Sequence, residues 1–195
     1  MDEIVKQALA KWPNVPHCTG WLLLDRRGNW RMRDEAAQAA GARGTPIRHA
    51  ALVGFISRNY ACDERGQWFF QNGPQRVYVE LAYTPWIVRL SRDEAASGTR
   101  ALMLTNQTGG AFEPAAVFAD DEGGILFADA SNPPRVAALH DHDLDLFADV
   151  STLSDDGLEG RFHWRVDVDL PLQVVRCSEV AARFGFVASP AGSKA

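Results

Sequence analysis

At 195 residues, 46% hydrophobic and 23% charged, the chain has the composition of a globular protein with a real core, enough for one sizeable domain or two small ones. Its net charge of -5 argues against indiscriminate nucleic-acid binding, which needs a basic surface to displace counterions, and no run of about 18 apolar residues offers a membrane span. The start, Met1-Asp2-Glu3-Ile4-Val5-Lys6, lacks the basic-then-apolar layout of a secretion signal, and Cys18, Cys62 and Cys177 show no C-x-x-C spacing, so reduced thiols and a cytoplasmic location are expected.

The first predicted element is an amphipathic helix over Asp2 to Lys11, followed by a proline-stiffened stretch, Trp12 to Pro16. A hairpin comes next: Trp21 to Leu24 runs into the turn Asp25-Arg26-Arg27-Gly28 and returns through Asn29 to Arg33. Ala36 to Gly44 reads as a loop or a weak helix end. Thr45-Pro46 then opens a helix whose apolar stripe is Ile47, Ala51, Leu52, Phe55, Ile56 and Tyr60. The turn grammar D-x-R-G-x-W of Asp25 to Trp30 returns at Asp63 to Trp68, and a looser form stands at Asp120 to Phe127. Alternation marks a strand over Val77 to Tyr83 and another over Arg161 to Leu170. Ser91 to Thr99 is the expected boundary between halves spanning 1–95 and 96–195, ahead of strand-like Arg100 to Thr105, and the tail from Ser189 is expected to be mobile.

The pattern P-x-R-x-A-A-L occurs twice, at Pro46 to Leu52 and at Pro133 to Leu139. A second echo, Thr84 to Ser91 against Leu170 to Ser178, lies at nearly the same displacement. Both point to an internal duplication in which each copy begins a helix at its proline. Charge differs along the chain: +4 over residues 1–60, zero over 61–100 and -9 over 101–195. Such a split suits either docking of oppositely charged surfaces or a drift of solvated residues.

The run from Cys18-Thr19-Gly20 through Asp25-Arg26-Arg27-Gly28-Asn29-Trp30, Gly44-Thr45-Pro46-Ile47-Arg48 and Asp63 to Phe70 resembles a bacterial domain-of-unknown-function family, number twelve-eighty-five or a close relative. The resemblance covers about residues 16–90. It implies two α+β halves of related shape and a role in ligand sensing or signalling, and it carries no catalytic residues. The chain departs from the family pattern through a long insert around Ala36 to Arg43 and a different second half.

The chemistry-bearing groups are sparse. His140, His142 and Asp143 are the most metal-like cluster; on a helix His140 and Asp143 share a face, and further ligands such as His163 must come from far away in sequence. His17-Cys18 invites thiol chemistry, but neighbours on an extended chain point to opposite sides. No phosphate loop, dinucleotide fingerprint or G-x-S-x-G elbow is present. Trp21, Trp30, Trp68, Phe69, Phe70, Tyr78, Tyr83 and Trp86 gather in the first half beside Arg48 and Arg76, which suits an anion held against an aromatic wall.

The fold expected is α+β: two tandem related halves, each a small, mostly antiparallel sheet of hairpins covered by one helix. The function expected is a binding module for a small anionic ligand or protein partner, favoured over an enzyme without settling that question, with Trp30, Arg48, Trp68 and Tyr83 as ligand-binding residues and no cofactor or metal assigned. The alternatives are a hydrolase using a metal at His140, His142 and Asp143 or the Cys18 thiol, and a structural protein that forms a homodimer.

Overall fold

The computed structural model describes residues 1–93, 101–155, 157 and 159–192. The fold is α+β and divides into two compact units, Met1–Pro85 with Gly185–Ala195, and Trp86–Phe184. Among the described residues no helix is long and apolar enough to cross a membrane.

Unit 1 opens with α1 (Glu3–Lys11), which buries Val5 and is tied down where the Asp2 N–H donates to Asn59 Oδ1 at 2.7 Å. β1 (Cys18–Leu24) and β2 (Trp30–Met32) form the expected hairpin. The alanine-rich stretch contains a short helix, α2 (Glu35–Ala39), because the Asp34 carboxylate accepts from the Ala37 N–H at 2.8 Å and caps it. β3 (Thr45–Pro46) precedes α3 (Ala50–Arg58), so the helix begins four residues after the proline expected to start it. Pro46 pairs with Arg31 in the sheet instead, and His49 supplies the cap through Nδ1, which accepts from the Leu52 N–H at 3.3 Å. β4 (Tyr60–Cys62), β5 (Trp68–Asn72) and β6 (Gln75–Leu81) complete a six-stranded sheet ordered β3-β2-β1-β6-β5-β4, antiparallel except for β1 beside β6. The tail read as mobile is packed as far as it is described: the Leu81 N–H donates to Ala188 O, Ala191 N–H donates to Glu80 Oε1, and Pro190 is buried.

Unit 2 contains β7 (Trp86–Asp93), β8 (Ala101–Asn106), β9 (Ala116–Asp120), β10 (Ile125–Ala128), β11 (Val136–Leu139), α4 (Leu144–Asp149), β12 (Ser151–Leu153), β13 (Gly160–Arg165), β14 (Val168–Val175) and α5 (Val180–Phe184). Its sheet runs β12-β13-β14-β9-β10-β11-β7-β8. The boundary expected at Ser91 to Thr99 begins inside β7, where Ser91, Arg92 and Asp93 pair with Met103, Leu102 and Ala101; residues 94–99 lie outside those described. The chain changes unit at Pro85 and returns at Gly185. The alternating run from Arg161 to Leu170 is two strands, because Val166 and Asp167 form a turn that folds β14 back on β13.

The duplication is real in topology but not in the register that the sequence echoes imply. Strands β9-β10-β11, then α4, then β12-β13-β14 repeat the path β1-β2-β3, then α3, then β4-β5-β6, down to the parallel pair that joins the two hairpin groups, β1 with β6 and β9 with β14. β7 and β8 extend the second copy beyond β11. The second P-x-R-x-A-A-L does not begin a helix: Val136–Leu139 is β11, buried on both faces between β10 and β7. Pattern alone cannot decide between these outcomes, and burial in the middle of a sheet overrides the helical preference of Ala-Ala-Leu. The echo at Leu170 to Ser178 likewise begins on β14, the counterpart of β6 and not of β7, and runs past its end at Val175.

What repeats at the level of single atoms is a five-residue turn. In Asp25 to Asn29, Asp63 to Gln67, Asn106 to Gly110 and Asp120 to Gly124, the first side-chain oxygen accepts from the N–H groups two and four residues on, at 2.7–3.1 Å. The fourth residue is always a glycine in the left-handed region, φ 77°, 76°, 87° and 81°.

The sheets are larger than the sequence implies, and α3 and α4 each meet their sheet at a local aromatic contact. In unit 1, Phe55 of α3 sits edge-on to Phe70, with ring centroids 5.4 Å apart. In unit 2, Phe147 of α4 stacks on Phe162 at 5.2 Å, with Phe127 and Trp164 alongside, all four fully or nearly fully buried.

Candidate anion-binding cleft

Along β5 and β6 the two-residue period separates side chains onto opposite faces of the unit 1 sheet. Phe69, Arg76 and Tyr78 point to one face, and His17, just before β1, joins them. With Cys62, Asp63, Glu64 and Arg65 of the β4–β5 turn they line an open cleft of about 620 Å³.

The turn is firmly held. Asp63 Oδ1 accepts from the N–H groups of Arg65 and Gln67, both at 2.9 Å, and Oδ2 accepts from Tyr78 Oη at 3.1 Å. Gly66 fits against the returning C-terminal segment, whose Val187 N–H donates to Gly66 O at 2.9 Å. A Cβ at Gly66 would lie 2.3 Å from Gly185 O, so the close approach requires glycine. Asp63 therefore spends its lone pairs on shaping the wall.

The arginines differ. Arg76 is half-buried, its guanidinium lies 4.5 Å from the Phe69 ring centroid, and it has no ion pair among the described residues. Phe69 and Tyr78 are 6.0 Å apart, and His17 meets Tyr78 edge-on at 5.7 Å. Arg65 is exposed at the rim. A planar cation on a ring, with its remaining donors facing a cleft, is suited to bidentate capture of a carboxylate or phosphate. The Cys62 thiol donates to Asp63 O, and burial together with the Asp63 charge pushes its pKa up to about 11, so it remains a thiol at neutral pH.

The four residues singled out from sequence fall in three places. Trp30, 1% exposed, donates from Nε1 to Ser57 Oγ at 3.3 Å and sits edge-on to Tyr60 at 5.0 Å. Trp68 also leans on Tyr60, at 4.7 Å. Burial holds the Tyr60 phenol well above its ordinary pKa, and its hydroxyl donates to Pro85 O. Trp30 and Trp68 are thus brought together by one tyrosine. Tyr83 carries the Arg26 guanidinium 4.5 Å over its ring, and Arg48 is exposed on the approach to α3. The cleft residues His17, Arg65, Phe69 and Tyr78 were not among the four. Their signal lay in the alternation of Arg76 with Tyr78 opposite Phe69, and in the D-x-R-G-x-W turn beside them.

The metal reading of His140, His142 and Asp143 meets a physical obstacle. Arg89 holds both Asp143 oxygens, at 2.6 and 2.9 Å, the Leu90 N–H donates to Oδ2, and His140 Nδ1 accepts from the His142 N–H at 3.1 Å. His163 is engaged elsewhere, between Thr152 and Asp169. Among the described residues no group of three or more His, Cys, Asp or Glu is placed to hold a metal ion. Burial raises the Cys18 thiol pKa, which weakens the case for it as a nucleophile. His17 and Cys18 line different cavities, as neighbours on an extended chain should.

Comparison with curated proteins gives no match. Two solved structures similar to this chain are DUF1285 family proteins. One, from Silicibacter pomeroyi DSS-3, is 17% identical over 90% of this chain and 97% of that one, with a TM-score of 0.46. The other, from Shewanella baltica OS155, is 12% identical over 67% of this chain and 91% of that one, with a TM-score of 0.41. The model of the family described as "Protein of unknown function (DUF2946)" matches residues 1–191, and the chain belongs to that family.

Proposed function

We propose that unit 1 is a binding module for a small anionic ligand carrying a planar or apolar body, taken up in the cleft of His17, Arg65, Phe69, Arg76 and Tyr78. The observation that carries this reading is the half-buried Arg76, stacked on Phe69 and without an ion pair among the described residues. A guanidinium stacked on a ring with no acid beside it leaves its remaining donors open to a ligand that supplies the negative charge. The cleft volume falls in the ordinary range for small-molecule sites. Trp30 and Trp68, joined through Tyr60, form the scaffold behind the cleft-bearing strands, while Arg48 supplies long-range positive potential. A cytoplasmic sensing role fits a site built for capture.

Calorimetric titration of the whole protein with phenyl phosphate and with inorganic phosphate tests this. Saturable binding of phenyl phosphate is expected, weakened about tenfold by Arg76→Ala and less by Arg76→Lys, which keeps the charge and loses the fork. Equal affinity in wild type and Arg76→Ala, with both folded by circular dichroism, would overturn it.

A further inference from the structure

The opposite face of the same sheet carries a second cavity, of about 290 Å³, and its chemistry is different. Phe70 and Val77, which alternate with Phe69 and Tyr78 of the anion cleft, line it together with Cys18, Leu22 and Asn72 from the strands and Leu52 and Ile56 from α3. Trp21, Met32 and Ile47 close the remaining sides. The cavity exists because α3 meets the sheet through Phe55 and Ile56 while its first turn stands away, leaving Leu52 38% exposed above Trp21 at 39% and Met32 at 46%. A helix and sheet that bury their apolar faces this incompletely leave dispersion contacts unmade, and an apolar guest restores them.

Asn72 is the one hydrogen-bonding carboxamide in that lining, and its side chain has no partner among the described residues. An otherwise apolar cavity with one free amide selects an apolar body ending in a group that both accepts and donates, or accepts alone. The volume is that of a small molecule and too small for a docked helix. Cys18 fits as a neutral lining group, since burial raises its pKa. We infer that this cavity is a second ligand site, taking a short aliphatic chain with a terminal oxygen, its tail between α3 and the sheet and its oxygen on Asn72.

Octanol and octanoate, titrated into the whole protein, test it. Both should bind saturably and should slow alkylation of Cys18, read by mass spectrometry, while leaving Cys62 and Cys177 unaffected. Leu52→Trp places an indole in the cavity from a partly exposed position, so the fold is retained, and octanol affinity should fall about tenfold or more. Asn72→Ala should weaken octanol severalfold and leave the unfolding midpoint near that of wild type. No saturable binding of either compound up to its solubility, equal octanol affinity in Leu52→Trp or Asn72→Ala, or unchanged Cys18 labelling would overturn the assignment. Because Arg76 lies on the other face, these outcomes are independent of phenyl phosphate binding.

Discussion

His49 and His140 hold the same place in the two copies of the topology. Each follows the third strand of its copy and caps the helical turn beyond it by accepting a backbone N–H on Nδ1, from Leu52 at 3.3 Å and from His142 at 3.1 Å. The same cap serves a nine-residue helix in one copy and a 3-10 turn leading into α4 in the other. An imidazole can play this part only while Nδ1 is unprotonated.

The His140 cap makes unit 2 sensitive to mild acid. Burial lowers the His140 pKa below its ordinary 6.5, and nearby Arg89 lowers it further, with His142 adding to the effect and Asp141 and Asp143 opposing it. A depressed folded-state pKa means that the unfolded chain binds the proton first, so stability is full above about 6.5 and declines as pH falls through the lowered value. His140→Asn keeps a side-chain acceptor and removes the titration. Urea denaturation at pH 7.5 and 5.5 should show a loss of stability in wild type that is markedly smaller in His140→Asn, and an equal loss in both would count against the cap as its source.

Arg89 and Asp143 fasten the same corner from the other side. Burial works against the Asp143 charge, but the Arg89 hydrogen bonds and the Leu90 N–H outweigh it and hold the carboxyl below its ordinary pKa. Asp143→Ala strands the buried Leu90 N–H and should destabilise unit 2 by about 1–3 kcal/mol, measured by denaturant unfolding. The contribution of Asp143 is fully present above pH 3.8 and lost as pH falls through its lowered folded value, so the wild-type advantage should shrink in strong acid.

Much of unit 1 was legible in sequence because its signals are local. Asp25 and Gly28 fix a hairpin over five residues, and the stripe Leu52, Phe55, Ile56 marks α3. In the second copy the deciding interactions are not local. Val136–Leu139 becomes a strand because β10 and β7 lie on either side, and nothing within P-x-R-x-A-A-L records those neighbours. The site followed the same rule. Counting aromatics groups Trp68 with Phe69, yet strand alternation puts them on opposite faces, so Trp68 joins Tyr60 and Trp30 while Phe69 joins Arg76. Arg48 has the right charge, but it leads into α3 and not the cleft-lining strands.

The repeated turn separates two costs of losing a glycine. Gly66 and Gly123 share nearly the same backbone, φ 76° and 81°, but a Cβ at Gly66 meets Gly185 O at 2.3 Å whereas one at Gly123 meets nothing within 4 Å. Gly123→Ala should cost only the left-handed strain, about 1–2 kcal/mol. Gly66→Ala adds a backbone collision and should cost more than that. Comparing the two midpoints in urea checks the ordering, and equal losses would mean that the segment behind Gly66 yields freely.

Asp63 tests whether the cleft recognises charge. Its carboxylate lines the ligand space, although its oxygens are occupied by Arg65 N–H, Gln67 N–H and Tyr78 Oη. Asp63→Asn keeps an acceptor for the two backbone donors and removes the charge. A ligand held by Arg76 through its own negative charge should then bind more tightly, by roughly threefold to tenfold for a gain on the order of 1 kcal/mol between partly solvated charges. The turn should loosen only slightly, because the Tyr78 hydroxyl can reorient toward the amide. Phenyl phosphate titration of Asp63→Asn, carried out at low and at moderate salt, gives the answer: tighter binding whose advantage fades as salt rises is the expected result. Weaker binding in a variant with an unchanged unfolding midpoint would make Asp63 a direct ligand contact and the preferred ligand a donor instead of an anion.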